Sequence, residues 1–210
     1  MKDKRGARPF RYGAFLFVVL YTPMLYTGKG DDGTTKTFGC CDQRISKSSA
    51  ITEALGALDE INSFLGVIKT NPGAQEMVVF VANEKKNISE IVGEVQNKLF
   101  IAQAEIAGAD KHLSKEDVQS MENIINAIEH ELPPISTFFV SGGTQLSALL
   151  DFARTLARRA ERRVVAVAEE GSVSVGRETL AYLNRLSSLL YALSRQVNHK
   201  SGITEEPPVY

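Results

Sequence analysis

The sequence predicts an all-α protein, an antiparallel five-helix bundle preceded by a structured glycine-rich loop. Apolar residues recur at spacings of three and four from about residue 48 almost to residue 200. Strand-like alternation is nearly absent after residue 46. The connections are short and marked by proline and glycine, which favours antiparallel neighbours. With 210 residues, 43% of them hydrophobic, one main domain is expected. A chain of this size buries roughly 70% of its unfolded surface, enough for a core without disulfide staples.

Residues 2–11 are basic and 12–25 mostly apolar, superficially a signal peptide. The apolar run is too short to span a bilayer, and it passes through Thr22, Pro23 and Met24 without a small-residue cleavage site. Residues 1–25 are therefore expected to be an extension, disordered or upstream of a natural start at Met24, and the protein to be cytoplasmic. From 26 to 45 the chain is rich in Gly, Asp, Thr and Lys without a helical period, a structured loop.

A first helix fits 48–70, where Ile51, Leu55, Leu58, Ile61, Leu65 and Ile68 form a stripe, and Asn71-Pro72-Gly73 stops it. A second runs from about Met77 or later to Ala107, with 83–89 polar enough to be a loop within it. Ser114 and Asp117 resemble a capping box opening a third helix, which Pro133 and Pro134 close. A short apolar piece, 138–140, leads through Gly142 and Gly143 into a fourth helix ending near Gly171. A fifth spans about 177–199; the bundle domain is thus 26–200, and 201–210 form a tail.

Lys and Arg number 24 against 25 Asp and Glu, a net charge of −1, which argues against non-specific nucleic-acid binding and favours a small-molecule partner. The two cysteines, Cys40 and Cys41, are adjacent, so no disulfide framework exists and a reducing compartment is indicated. No Cys/His/Asp spacing suits zinc or an EF-hand, and no dedicated protein-ligated metal is expected.

Gly28-Lys29-Gly30-Asp31-Asp32-Gly33 matches G-x-G-x-x-G, but the dinucleotide reading fails on context, because no helix or βαβ unit follows. It is not a Walker loop either. Two readings stay open: a Gly/Asp turn, or a loop whose backbone N–H groups, with Lys29, Lys36 and nearby hydroxyls, suit a polyphosphate.

In the fourth helix Leu149, Ala153, Leu156, Ala160, Val164 and Val167 line one side, while Arg154, Arg158, Glu161 and Val165 fall nearly opposite, flanked by Asp151 and Arg162. A solvated face with intrahelical pairs is one reading. The other is anion recognition, since Arg154, Arg158, Arg159, Arg162 and Arg163 place five guanidiniums within ten residues. In the fifth helix Leu183, Leu186, Leu190, Leu193 and Val197 mark the core side. Asn184, Ser188, Tyr191 and Arg195 share the other, and Asn184 needs a partner there. Asp59 and Glu60 suit an arginine. No pair or triad for hydrolytic chemistry is present.

Four blocks in order, Tyr26-Thr27 with Gly30-Asp31-Asp32-Gly33-Thr34-Thr35, Ala54-Leu55-Gly56-Ala57-Leu58-Asp59-Glu60-Ile61-Asn62-Ser63, Arg158-Arg159-Ala160-Glu161-Arg162-Arg163 and Leu183-Asn184-Arg185-Leu186-Ser187, resemble the PduO-type ATP:cob(I)alamin adenosyltransferases. The resemblance covers about 24–198. It implies a homotrimer of five-helix bundles with ATP and corrinoid in clefts between subunits, and transfer of the 5′-deoxyadenosyl group of ATP to Co(I), giving adenosylcobalamin and triphosphate. Mg²⁺ would accompany ATP. A Co(II) reductase and an adenosylcobalamin-dependent enzyme are implied as partners, with no nucleic acid and no membrane.

By resemblance, Tyr26, Thr27, Gly28, Lys29, Gly30, Asp31, Gly33, Thr34 and Thr35 wrap the triphosphate, helped by Lys36 and Lys47. Arg158, Glu161, Arg162 and Asn184 are implied at the nucleotide. Arg154 matches an arginine that pairs across the subunit boundary with the aspartate at Asp59. Phe138 falls where the family has an aromatic residue beneath the corrin, which helps displace the lower axial ligand and eases reduction of Co(II) to Co(I). Asp151 and Ser188 fall at corrinoid-side positions. Asp151 stands where histidine is common, Ser188 where aspartate is, Ser141 where proline precedes the double glycine, and Gly28 where a basic residue is frequent. Cys40 and Cys41 replace glycine or basic residues. Two other classes compete: a carrier that binds nucleotide and corrinoid without efficient catalysis, and a structural helical oligomer with a solvated basic face.

Overall fold

The computed structural model describes residues 26–38, 43–82 and 84–210. The extension, with its export and upstream-start readings, and Cys40 and Cys41 lie outside the described residues. The elements in chain order are β1 (Thr34–Thr35), β2 (Ile45–Ser46), α1 (Ala50–Lys69), α2 (Pro72–Glu76), β3 (Val78–Val81), β4 (Glu84–Asn87), α3 (Ile88–Ile106), α4 (Lys115–Glu131), α5 (Gln145–Glu170) and α6 (Arg177–Lys200).

The fold is an all-α bundle, but the described residues form six helices rather than the expected five. The additional one is α2, and its cause is the triplet that was expected only to stop α1. Asn71 lies in extended backbone and its side chain accepts a hydrogen bond from Gly73 N at 2.9 Å, while Pro72 takes the first helical position. Proline loses nothing there, since the first N–H groups of a helix have no partner within it.

The second expected helix also begins later. Val78-Val79-Phe80-Val81 pairs antiparallel with 84–87, Val78 opposite Asn87 and Val81 opposite Glu84, and Ala82 at the turn has φ +48°. A four-residue apolar run cannot be told from a helical segment by periodicity, and here β-branched and aromatic residues decide for strand. Helix α3 then starts in a capping box: Asn87 Oδ1 accepts from Glu90 N and Glu90 Oε2 from Asn87 N, each at 2.8 Å. The box expected at Ser114 and Asp117 opens α4, which ends at Glu131 before the two prolines.

Helix α5 packs against α1 and α6, α1 also against α3, and α6 also against α4. The expected stripes face inward. Leu58, Ile61, Leu65 and Ile68 of α1 are fully buried, Ile51 and Leu55 partly so, and Leu150 rather than Leu149 is the deeper residue of α5. Leu183, Leu186, Leu190, Leu193 and Val197 are all buried.

Helix α6 lacks a capping side chain of its own at Gly176. Glu105 of α3, itself buried, supplies one: Oε1 accepts from Gly176 N at 2.6 Å and Oε2 from the Thr179 hydroxyl. A carboxylate at a helix N-terminus satisfies unpaired N–H groups and meets the positive end of the helix dipole. No helix among the described residues is long and apolar enough to cross a membrane.

Candidate functional site

The arginines of α5 divide into two sets. Arg159 pairs with Glu60 and Arg163 with Glu53, at 3.5 Å in the second case, so both are spent on fastening α5 to α1. Arg154, Arg158 and Arg162 lie around the helix, toward α6. Arg154 Nε donates to Asp151 Oδ1 at 3.1 Å, one turn away, and its guanidinium sits 5.8 Å from the centre of the Tyr191 ring. Arg162 Nη1 donates to the Arg158 carbonyl at 3.0 Å. The Arg158 guanidinium has no ion-pair partner among the described residues and stands exposed.

Asn184 finds the partner its position requires. Its Nδ2 donates to Glu161 Oε1 at 2.8 Å across the α5–α6 groove, and its Oδ1 accepts from Arg185 Nη1 at 2.8 Å. Arg158, Glu161, Arg162 and Asn184 line one cavity of about 350 Å³ together with Val165 and Glu169. All four nucleotide candidates of the two helices thus come together.

A larger cavity of about 570 Å³ lies alongside, within the range of small-molecule sites. It is walled by the 135–141 loop on one side and by Asp151, Arg154, Arg158, Ser188 and Tyr191 on the other. Phe138 is 79% exposed at its rim, an aromatic ring without the burial such side chains usually find. Asp151 is only 7% exposed, its charge met by Arg154. Burial pushes the Tyr191 phenol above its ordinary range, so this side chain meets the cavity as a neutral phenol. Phe138, Asp151 and Ser188 share this cavity, and Arg158 lines both cavities.

The glycine loop is a compact turn rather than an open strap. Gly28 and Gly33 have φ of +67° and +79°, and Gly33 N donates to the Gly30 carbonyl at 3.2 Å. Lys47 Nζ reaches back to the Gly30 carbonyl at 2.7 Å, and a Cβ on residue 30 would come within 3.0 Å of that ammonium. Asp32 accepts from the Thr34 backbone N–H and hydroxyl, which holds its carboxyl below the usual aspartate range. Thr27 Oγ1 accepts from Lys29 N at 3.3 Å, Asp31 N donates to the Gly28 carbonyl at 3.3 Å, and Tyr26, 88% exposed, precedes the turn. Thr34 and Thr35 form β1, and Lys36 follows it on the surface.

The residue that sequence reasoning missed in this loop is Arg44. Its guanidinium bonds the Thr34 hydroxyl, the Lys29 carbonyl and, at 2.8 Å, the Thr34 carbonyl, and lies 3.6 Å from Asp32. Strands of two residues leave no periodic signal, so nothing in the sequence marks Arg44 as facing the glycines. Asp59 is exposed on α1 beside Phe100 and Gln103 of α3, away from the Arg154 cavity. Within one chain, Arg154 engages Asp151.

The family model described as cobalamin adenosyltransferase matches residues 25–197. The chain belongs to the cobalamin adenosyltransferase family. Among relatives of this chain, the corrinoid adenosyltransferase of Bacillus subtilis is 35% identical over 187 residues, covering 85% of this chain and 89% of that protein. The corrinoid adenosyltransferase PduO of Citrobacter freundii is 35% identical over 182 residues, 83% of this chain but 50% of that protein, so the chain spans about half the length of that relative. Its fold matches a PduO-type ATP:corrinoid adenosyltransferase of Lactobacillus reuteri, a phenylalanine-to-histidine variant complexed with cobalamin and ATP. The TM-score is 0.76 at 27% identity, over 88% of this chain and 96% of that one.

Proposed function

We propose that this protein transfers the 5′-deoxyadenosyl group of ATP to the Co(I) of a corrinoid. The observation that carries the proposal is Arg158, a guanidinium with no ion-pair partner among the described residues, shared by a charged groove and an aromatic-rimmed cavity. The cobalt lone pair forms a bond to C5′, the C5′–O bond breaks, and inorganic triphosphate leaves with that electron pair. No protein nucleophile is needed. The work left to the chain is positioning and charge stabilisation, the kind of catalysis that arginine forks and backbone N–H groups supply to a departing phosphate chain.

In this reading the loop 27–35 with Lys36 and Lys47 binds the triphosphate, and Arg44 holds that loop in shape. Glu161 and Asn184 orient the nucleoside, Arg158 and Arg162 neutralise charge, and Phe138 covers one face of the corrin ring. Triphosphate oxygens would carry Mg²⁺, and Glu161 and Glu169 are the carboxylates lining the groove that could face it. No residue of loop 27–35 lines either Arg158 cavity, and in this reading the complete site would join two subunits of a homotrimer, with Arg154 and Asp59 pairing across the boundary. The setting would be the cytoplasm, with a Co(II) reductase supplying Co(I).

The test is anaerobic incubation of the purified protein with ATP, Mg²⁺ and reduced cob(I)alamin, following loss of Co(I) absorbance and formation of adenosylcobalamin and triphosphate. Catalytic formation of both supports the transferase. Tight ATP binding without turnover favours a carrier, a reading supported by the positions of Asp151, Ser141 and Ser188. All three departures from the family pattern line the same cavity.

A further inference from the structure

The loop that carries Phe138 has little structure of its own. Among the described residues, its single backbone–backbone hydrogen bond between 133 and 143 runs from Val140 N to the Glu206 carbonyl of the C-terminal tail, at 2.9 Å. The loop is instead tied at both ends to α6. At one end Arg195, 6% exposed, donates from Nη2 to the Pro133 carbonyl at 3.3 Å, and its guanidinium stacks 5.2 Å from the centre of the Phe139 ring. Its Nε donates to Glu205 Oε2 at 2.9 Å, which brings the tail against the same loop.

At the other end Asn198 uses both halves of its amide. Nδ2 donates to the Gly142 carbonyl at 3.0 Å and Oδ1 accepts from Thr144 N at 3.3 Å. Gly143, at φ +104°, packs so closely that a Cβ there would lie 2.4 Å from Asn198 Oδ1.

We infer that Arg195 and Asn198, one turn apart on α6, are positioning residues that set where Phe138 stands over the larger cavity. The inference rests on the proposed role of Phe138 and deepens it. A buried guanidinium is costly unless its hydrogen bonds and charge are met. Here a carboxylate, a carbonyl and an aromatic face meet them, and two of those three partners belong to the Phe138 loop. A lysine has neither the fork nor the flat face to make these contacts together. The buried amide of Asn198 plays the matching part, since losing either half leaves a loop group unpaired. Asn198 also lines the larger cavity, but both halves of its amide are engaged by Gly142 and Thr144, and neither side chain has a group that the displacement requires. Their effect on the reaction therefore passes through Phe138.

The experiment compares wild type, F138A, R195M, N198A and the doubles F138A/R195M and F138A/N198A, with E205Q as a milder perturbation of the clasp. Readouts are kcat, the KM for ATP, and the fraction of bound cob(II)alamin lacking its lower axial ligand, by visible absorption and electron paramagnetic resonance. Each single variant is expected to lose about ten- to hundredfold in kcat, with the KM for ATP within about twofold of wild type and the axial-ligand signature reduced toward that of F138A. E205Q should show the same pattern more weakly. Each double should be no worse than F138A alone, because residues acting through Phe138 have nothing left to position. Losses that multiply in the doubles, or an unchanged signature in R195M and N198A, would overturn the inference while leaving the transferase reading intact. A wild type that makes no adenosylcobalamin would overturn both.

Discussion

Asn184 and Glu161, 23 residues apart in sequence, meet across the α5–α6 groove at 2.8 Å, so the amide fixes the carboxylate at the edge of the Arg158 cavity. In N184A the carboxylate loses its donor, and kcat/KM for ATP should fall about tenfold, the size of one hydrogen bond to a charged group. N184D keeps the acceptor for Arg185 but sets a second anion against Glu161, and should be worse than N184A. Steady-state kinetics at varied ATP checks the ranking, and equal activities would remove the pair from the site.

Removing the Arg158 guanidinium should cost more. R158A deletes a charged fork with no intramolecular ion pair among the described residues, so little stability depends on it. A fall of about a hundredfold in kcat/KM with an unchanged melting temperature is expected. If ATP binding by calorimetry and turnover both stay at wild-type levels, the basic face of α5 is merely solvated.

Asp59 tests the intersubunit pair. D59A should lower kcat/KM about tenfold and weaken subunit association in sedimentation velocity, because Arg154 would then be left to Asp151 alone. Wild-type kinetics together with an unchanged sedimentation coefficient would take Asp59 out of the site.

Gly143 is constrained twice over, by φ +104° and by the approach of Asn198 Oδ1 to 2.4 Å of where a Cβ would be. G143A should destabilise the protein by about 1–3 kcal/mol in urea unfolding. G171A is a control for φ alone, since Gly171 has φ +66° with nothing near its missing Cβ. It should cost less.

His112 gives stability a pH dependence of definite sign. The hydrogen bond to Glu105 first, then the charge of that carboxylate and a hydrogen bond to Asp110, outweigh desolvation and raise its pKa above 6.5. The native state therefore holds this proton more tightly than the unfolded chain does. The contribution is complete below pH 6.5 and is lost as pH rises through the raised folded value. Melting temperatures measured from pH 5.5 upward should fall across that window in wild type, and by less in H112Q. Identical slopes in the two proteins would remove His112 as the source.

Much of this is legible in the sequence. The core stripes of α1, α5 and α6 follow from three-and-four spacing, because burial of one helix face is a periodic property that neighbouring residues record. The box at Ser114 and Asp117 was readable for a related reason, as a cap is settled within four residues. Local signals failed where two structures compete for one short string. Asn71-Pro72-Gly73 both ends α1 and begins α2, and 78–81 is apolar enough for helix or strand until its pairing with 84–87 decides. The clustering of arginines on α5 could be counted, but not their division, because Glu53 and Glu60 reach Arg163 and Arg159 from another helix.

The sequence by itself determined the helical class, the inward faces and the residue types of the site, since these depend on composition and local period. Only tertiary structure decided that Arg158 joins two cavities, that Glu105 caps α6, that Arg44 braces the glycine loop, and that Arg195 and Asn198 hold the ends of the Phe138 loop. Those relations are hydrogen bonds and charge contacts between residues far apart in the chain. Their partners are fixed by packing geometry, which leaves no periodic trace along the sequence.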